Sequence, residues 1–157
     1  MEVKNLIEFI HDKSFSLNNE IILSNKKIKV LKTRINNDNL YKSYTQISKI
    51  ICLNKNRQYI IVFLMEILKD IVRFQKASKN IKSKETHDII LNFCIDKSIK
   101  WNIEYNKTHP LYNYKPFFEK LFKYYLINEK YEKCAELLKH GKISTAYKQK
   151  ICVLYQI

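Results

Sequence analysis

The stretch "KPFFEKLFKYYLINEKYEKCAELLKHGK", residues 115–142, decides the fold class because its apolar residues recur at the spacing of an α-helix. Pro116 suits the first turn of a helix, where its missing N–H costs nothing. Asn128 suits the end of that helix and the start of the next. One apolar face is formed by residues at i, i+3, i+4 and i+7: Phe118, Leu121, Phe122 and Tyr125.

A second helix follows, and its inward positions repeat that spacing: Tyr131, Cys134, Ala135 and Leu138. Gly141, directly after His140, is a typical signal for the end of a helix. A third helix is predicted from about Thr145. Short consecutive helices of this kind predict α-solenoid-like helical hairpins in the C-terminal half of the chain.

The rest of the chain extends the helical pattern. One Gly and two Pro in 157 residues are too few turn residues for a fold of many short strands. We therefore predict an all-α fold, a single compact helical domain of about seven helices that spans residues 1–157. Apolar stripes indicate helices in five segments before residue 105: 3–12, 17–35, 40–51, 57–77 and 86–101.

Further predictions concern three segments: residues 18–36, 57–77 and 105–114. Residues 18–36 could form a helix or a hairpin that turns at Asn25 and Lys26, and we favour the helix. Residues 57–77 are apolar on nearly every face as far as Met65, which predicts the central buried helix. Residues 105–114, which contain Pro110, are predicted to be a longer loop.

Most aromatic residues at helical spacing are predicted to lie in the core. Phe122 is the central example, because it sits in the middle of the apolar face. Four aromatic residues fall outside the predicted inner faces and are expected to be free for stacking or for contact with another protein: Tyr112, Tyr114, Phe117 and Tyr124.

The sequence offers no pattern typical of an active site. The four cysteines are widely spaced without a C-x-x-C pair, which predicts reduced core thiols and no metal site. The four histidines are scattered, and one glycine cannot build a phosphate-binding loop. The carboxylate pairs Glu66–Asp70 and Glu132–Glu136 have the spacing of ordinary helix-surface ion-pair partners. We expect a protein that is not an enzyme and that uses no cofactor and no small-molecule substrate.

Charge is the strongest functional signal. Twenty-nine Lys and Arg against 15 Asp and Glu give a net charge of +14, which favours a polyanion as partner. The first twenty residues lack the pattern of a signal or transit peptide. The longest apolar run, residues 59–65, is far shorter than the ~20 residues of a membrane span. We therefore expect a protein without a membrane span that resides in the cytosol or the nucleus.

Three basic clusters are visible in the sequence. The first comprises Lys26, Lys27, Lys29, Lys32 and Arg34. The second and third are the candidate RNA-binding residues: Lys69, Arg73, Lys76, Lys79, Lys82 and Lys84, then Lys139, Lys142, Lys148 and Lys150. Lysine makes point contacts that position a phosphate backbone, so we expect structured RNA to be held by shape and charge rather than by sequence.

The last third of the chain, residues 115–156, resembles the C-terminal helical domain of the colon-cancer-associated Mic-like family. In that pattern an aromatic pair opens a helix, a Lys-aromatic turn follows, and a Leu-His segment ends the next helix. The matching residues are Phe117, Phe118, Leu121, Lys130, Tyr131, Leu138, His140, Ile143, Ala146 and Leu154. Large members of the family place this domain after a β-propeller, for which this chain has no room.

The resemblance implies a function as well as a fold. A short, basic, free-standing version of the domain is similar to the microsporidian dormancy factors of this family, which bind idle ribosomes near the tRNA exit site. It implies a cytoplasmic hibernation factor that contacts ribosomal RNA and ribosomal proteins there and blocks translation. The alternative is a protein-interaction module of an endosomal trafficking complex that activates a GTPase. A third reading is a helical protein that binds RNA or DNA generally.

Overall fold

The computed structural model describes residues 2–78 and 83–140, together with positions 149 and 153. Within these residues it contains only α-helices, which confirms the predicted all-helical class. The described part has five helices, so the prediction of about seven is not confirmed. They are α1 (Glu2–Thr33), α2 (Leu40–Ala77), α3 (Ser83–Lys100), α4 (Lys115–Ile127) and α5 (Tyr131–His140).

The described part has fewer helices than predicted because two predicted breaks do not exist, and because the helix predicted from about Thr145 lies almost wholly outside the described residues. Residues 3–12 and 17–35 belong mainly to the single helix α1, and residues 40–51 and 57–77 both belong to α2. The polar residues between the predicted segments are Lys, Ser and Asn, which cost only tenths of a kcal/mol each inside a helix. Neither helix contains Gly or Pro. Of the two alternatives for residues 18–36, the structure has the helix that the sequence favours, and this helix continues as far as Thr33.

The turn between α1 and α2 is built by asparagine side chains. The Asn36 carboxamide oxygen accepts hydrogen bonds from the backbone N–H groups of Asp38 and Asn39, both at 3.0 Å. The Asn39 carboxamide donates to the Arg34 carbonyl at 2.9 Å. These bonds satisfy backbone groups that the end of α1 leaves open, and the chain reverses direction there.

α1 and α2 pack against each other with the alternating three- and four-residue spacing of a coiled coil. Every seam residue is buried or half-buried. On α1 the seam consists of Ile10, Ser14, Leu17, Ile21, Ser24, Ile28 and Leu31. On α2 it consists of Ser43, Ile47, Ile50, Asn54, Arg57, Ile61, Leu64, Leu68 and Ile71.

Polar residues in this seam fix how the two helices align. Arg57 donates hydrogen bonds to the Glu20 carboxylate at 3.0 Å and to the Ser24 hydroxyl at 3.0 Å. Asn54 donates to the Asn25 side-chain oxygen at 3.2 Å. A shift of one turn would separate these partners and leave a half-buried guanidinium unpaired, so the polar positions select one antiparallel register.

The main core lies at one end of the α1–α2 pair. It takes its buried residues from the first half of α1, the second half of α2, and α3, α4 and α5. Among residues 18–57, none belongs to this core or packs against it, whereas Tyr59, just beyond them, packs on Trp101 at 5.2 Å. Residues 18–57, which we call the arm, therefore extend beyond the core as a two-helix hairpin. At 1.5 Å per residue, the α1 part of the arm is about 24 Å long.

The C-terminal helices correct two sequence-based assignments. Phe117 was expected to be free on an outer face, but it is fully buried. The predicted loop before α4 covers this side of the helix, and the His109 ring stacks on Phe117 with 5.1 Å between ring centroids. In α5 the buried residues are Cys134 and Leu137, whereas Tyr131 and Ala135 are exposed. α4 and α5 do pack against each other, but the solenoid-like arrangement is not confirmed.

Candidate polyanion-binding surface

The arm concentrates the positive charge of the protein. It spans forty residues and carries nine Lys and Arg against two acidic residues, Glu20 and Asp38. Its net charge of +7 is half of the +14 carried by the whole chain. One of its two carboxylates, that of Glu20, already pairs with Arg57 at 3.0 Å. The arm is therefore a projecting, positively charged element.

The first basic cluster lies on this arm. Its five side chains are all exposed: Lys26, Lys27, Lys29, Lys32 and Arg34. Three of them occupy positions 26, 27 and 29 and therefore point in different directions around α1, away from the seam residue Ile28. Charges spread around a narrow hairpin can meet phosphates approaching from several sides.

The second cluster is partly described. Lys69, Arg73 and Lys76 are exposed on one face of α2, as the sequence predicts. Lys69 lies 2.6 Å from the Glu66 carboxylate, and Arg73 lies 3.9 Å from Asp70. The hydrogen bond from Lys69 lowers the pKa of Glu66. Two of these three cations thus have acidic neighbours, which weaken the field they offer to a phosphate.

The remaining predicted RNA-binding residues are mostly not described. Lys84 is exposed at the start of α3 and Lys139 is exposed near the end of α5. Five others lie outside the described residues: Lys79, Lys82, Lys142, Lys148 and Lys150. The structure thus brings Lys69, Arg73 and Lys76 together, and the contribution of all ten residues to RNA binding stays a prediction.

Sequence reasoning missed two exposed aromatic residues on the arm. Tyr44 was grouped with an apolar core stripe, but the seam passes through Ser43 and Ile47 instead. Tyr41 is 86% exposed and Tyr44 is 69% exposed. The coiled-coil spacing from Ser43 to Asn54 could have revealed this, but polar residues in the seam concealed it.

Three other aromatic side chains that the sequence placed outside the core are partly buried. Tyr114 makes a 2.9 Å hydrogen bond with the ring of His87. The Tyr112 hydroxyl donates to the carbonyl of His140. Tyr124 packs against the core. Burial raises the pKa of Tyr114 to about 12, so its hydroxyl stays protonated. These residues tie helices and loops together and are not free platforms.

Ser98 and His109 are buried side by side, with 3.1 Å between the hydroxyl oxygen and Nε2. The Leu111 backbone N–H donates to Nδ1 of His109 at 3.0 Å, so the proton of the neutral ring sits on Nε2 and points at Ser98. The Ser98 hydroxyl in turn donates to the Cys94 carbonyl at 2.8 Å. In this tautomer the imidazole cannot accept the serine proton, so the pair fixes the loop and does not form a nucleophile–base dyad.

The buried His109 makes stability depend on pH. Desolvation lowers its pKa to about 3, against about 6.5 in an unfolded chain. Well above pH 6.5 His109 is neutral in both the folded and the unfolded protein, so its contribution to the unfolding free energy is fully present. As the pH falls below 6.5, the unfolded chain binds a proton at His109 that the folded protein excludes, and this contribution is lost. We expect this group to remove about 2 kcal/mol of unfolding free energy between pH 7 and pH 5.

Urea unfolding of the wild type and of His109→Gln at both pH values measures this loss. The variant should lack that part of the pH dependence, whereas His11→Gln, at an exposed position, should retain it. Equal pH dependence in all three proteins would show that the folded protein protonates His109 as readily as the unfolded chain does.

No protein-family model, curated protein or solved structure matches the chain. Among residues 2–78 and 83–140, no group of three His, Cys, Asp or Glu side chains is arranged to hold a metal ion. The helices in that same part of the chain include none with the length and apolar character needed to cross a membrane.

Proposed function

We propose that the protein is a non-enzymatic ribosome-binding factor that contacts ribosomal RNA. The observation that carries this proposal is the arm, which holds half of the net positive charge in a quarter of the chain. Ribosomal RNA presents a dense phosphate surface, and a narrow cationic hairpin can enter its grooves and clefts. Exposed lysines supply the counterion release that drives such binding.

The resemblance of residues 115–156 to the Mic-like domain supports a more specific role. Under this proposal the factor is cytoplasmic, occupies the tRNA exit region of inactive ribosomes and blocks translation as a dormancy factor. The C-terminal segment would then contact ribosomal proteins near that site through the solenoid-like hairpins that the sequence predicts. The second and third basic clusters, with Lys69 and Lys139 as described members, would add further phosphate contacts.

A second candidate function is supported by a different surface. Beside α1 and α2 the core end carries a shallow, mainly apolar groove lined by Ile7, Met65, Leu68, Ile71 and Val72, and also by His11, Lys69 and Arg73. Val72 is 48% exposed. Such a groove suits a helix of another protein, which is the expectation for a module of an endosomal trafficking complex.

Salt distinguishes the two functions. Purified protein should co-sediment with vacant ribosomes at about 50 mM salt and be largely released at about 200 mM, because each phosphate contact contributes a slope of 0.7 to 0.9 in log affinity against log salt. A protein-docking groove responds weakly to salt. Failure of the protein to sediment with ribosomes at low salt would contradict the ribosome proposal and favour the trafficking module.

A further inference from the structure

The outer face of α2 on the arm carries an unusual combination of residues. Tyr41 and Tyr44 are separated by one helical turn and line a shallow groove that continues along α2 to Cys52 and Leu53. Lys49 borders the same groove. All five side chains are exposed, and all lie away from the seam with α1.

Exposed tyrosines beside lysines suit one class of ligand particularly well. Proteins that hold single-stranded nucleic acid combine cations that follow the phosphates with aromatic rings on which bases stack. Bases inside a duplex are already stacked on their neighbours and cannot offer their faces to Tyr41 or Tyr44. The groove therefore matches unpaired nucleotides better than a helical RNA.

Charge argues against the other occupants of such a face. A second copy of the chain would bring another arm of net charge +7 against the first, and like charges oppose association. A neutral helix of another protein would cover the apolar groove but would gain nothing from Lys42 and Lys49, which are exposed on the same helix. Unpaired RNA satisfies the rings and the cations together.

We propose that the arm binds single-stranded RNA, with Tyr41 and Tyr44 stacking on unpaired bases and Lys42 and Lys49 contacting the adjacent phosphates. This inference rests on the proposed function and deepens it, because it assigns the unpaired segments of ribosomal RNA as the ligand of the arm. Binding is expected to tolerate many sequences, since every base has a face on which a ring can stack.

The first test compares single-stranded with duplex RNA. Fluorescence anisotropy measures binding of the full chain to an unstructured RNA of about twelve nucleotides, within the site sizes known for single strands. A duplex of the same length is measured in parallel. Tyr41→Leu combined with Tyr44→Leu keeps apolar bulk but removes the rings, and should weaken single-strand binding at least about ten-fold.

Matched variants make the result specific to stacking. Tyr41→Phe combined with Tyr44→Phe keeps both rings and should bind the single strand like wild type. The duplex affinity of the leucine variant should change less than about two-fold, because duplex contacts are made by cations. Equal weakening for both RNAs, or no weakening for the single strand, would overturn the proposal.

Cys52 provides an independent readout without any substitution. It is exposed in the groove, whereas Cys94 and Cys134 are buried. Bound single-stranded RNA should slow its alkylation by iodoacetamide, followed by peptide mass spectrometry, and duplex RNA at equal occupancy should not. Unchanged alkylation of Cys52 at saturating single strand would place the RNA elsewhere and overturn the proposal.

Two further measurements separate this inference from the proposed function. If the leucine variant sediments with ribosomes like wild type and binds single strands normally, stacking on Tyr41 and Tyr44 is refuted, but the proposed ribosome binding is not. If wild type binds single strands through Tyr41 and Tyr44 but never sediments with ribosomes, the proposed ribosome binding is refuted and the proposed stacking on the two tyrosines is not. A dimer that dissociates in the leucine variant, seen by sedimentation velocity, would identify a second copy as the occupant and overturn the RNA assignment.

Discussion

Changing Lys26, Lys27 and Lys29 together to Glu should abolish sedimentation with ribosomes at low salt. Each substitution replaces attraction to a phosphate by repulsion and removes a counterion-release contribution. Loss of three such contacts is expected to weaken binding at least about a hundred-fold at 50 mM salt. The measurement is co-sedimentation with vacant ribosomes, quantified over a range of ribosome concentrations.

The fold should survive this reversal. The three side chains are exposed on α1 and lie outside the seam with α2. Exposed charges contribute little to stability, and the substitution exchanges one set of like charges for another. A circular dichroism melt should therefore shift by only a few degrees, which separates loss of binding from loss of structure.

A matched control removes the effect of net charge. Changing Lys100, Lys107 and Lys123 to Glu also lowers the net charge from +14 to +8, because each substitution changes it by two. These lysines are exposed on α3, in the loop and on α4, and none of them belongs to the arm. The control should keep most of its ribosome binding. Equal losses in both proteins would show that total charge, and not the arm, carries the interaction.

The second basic cluster offers a direct comparison with the arm. Reversal of Lys69, Arg73 and Lys76 should cost less than reversal on the arm, because Glu66 and Asp70 already neutralise part of that field. A larger loss there would return the main RNA contact to the residues predicted from sequence. Lys79, Lys82 and Lys84 can then be added to the reversal to complete that cluster.

The helical class was accessible from the sequence because it depends on local signals. The stripe through Phe118 and Phe122, Pro116 in the first turn and Asn128 at the end of α4 all correspond to the structure. The asparagine-rich stretch 36–39 closes the turn between α1 and α2 through side-chain hydrogen bonds. Each of these features is decided within a few residues, by backbone conformation or by side-chain spacing.

The spacing of apolar residues alone could not predict the number of helices or the existence of the arm. Ser43, Asn54 and Arg57 occupy seam positions where an apolar residue was expected. The hydrogen bonds of Asn54 and Arg57 to α1 compensate for their polarity, but the partners are about thirty residues away in sequence. Ile47 and Ile50 of the predicted stripe do lie in the seam, but the side of α2 that carries Leu40, Tyr44 and Ile51 is exposed.

The candidate site likewise combines features that the sequence reveals with features that depend on how the helices pack. Exposed lysines are readable from sequence, but whether a carboxylate neutralises them depends on packing: Asp70 also pairs with Lys97 of α3 at 3.3 Å. The positive charge of residues 26–34 was visible, yet its projection beyond the core followed only from where α3, α4 and α5 pack. Local composition thus identified the kind of partner and not the surface that meets it.

Phe117→Ala should destabilise the protein by about 3–5 kcal/mol, the range for truncating a buried Phe. Its ring is fully buried and stacks on His109 at 5.1 Å, with Tyr105 at 6.1 Å. The sequence predicted a small cost here and a large cost at Phe122. The structure predicts similar costs at both positions, because the loop buries one side of α4 and the other helices bury the rest.

Urea unfolding at pH 7 measures both variants, with Phe15→Ala as the control. Phe15 is 68% exposed, so its truncation should cost less than about 0.5 kcal/mol. A Phe117→Ala cost close to that of Phe15→Ala would show that the loop does not cover α4 in solution. Because a domain of this size has only about 5–15 kcal/mol of stability, the variant should unfold at a clearly lower urea concentration.

A milder substitution tests the cause of this burial. Phe117→Leu keeps an apolar side chain but removes the ring that covers one face of His109, so water gains access to the imidazole. The pKa of His109, held at about 3 by desolvation, should then rise towards its usual range. The loss of stability between pH 7 and pH 5 should shrink below the wild-type value. If the pH dependence of Phe117→Leu equals that of the wild type, another group keeps His109 dry and the stacked ring contributes packing alone.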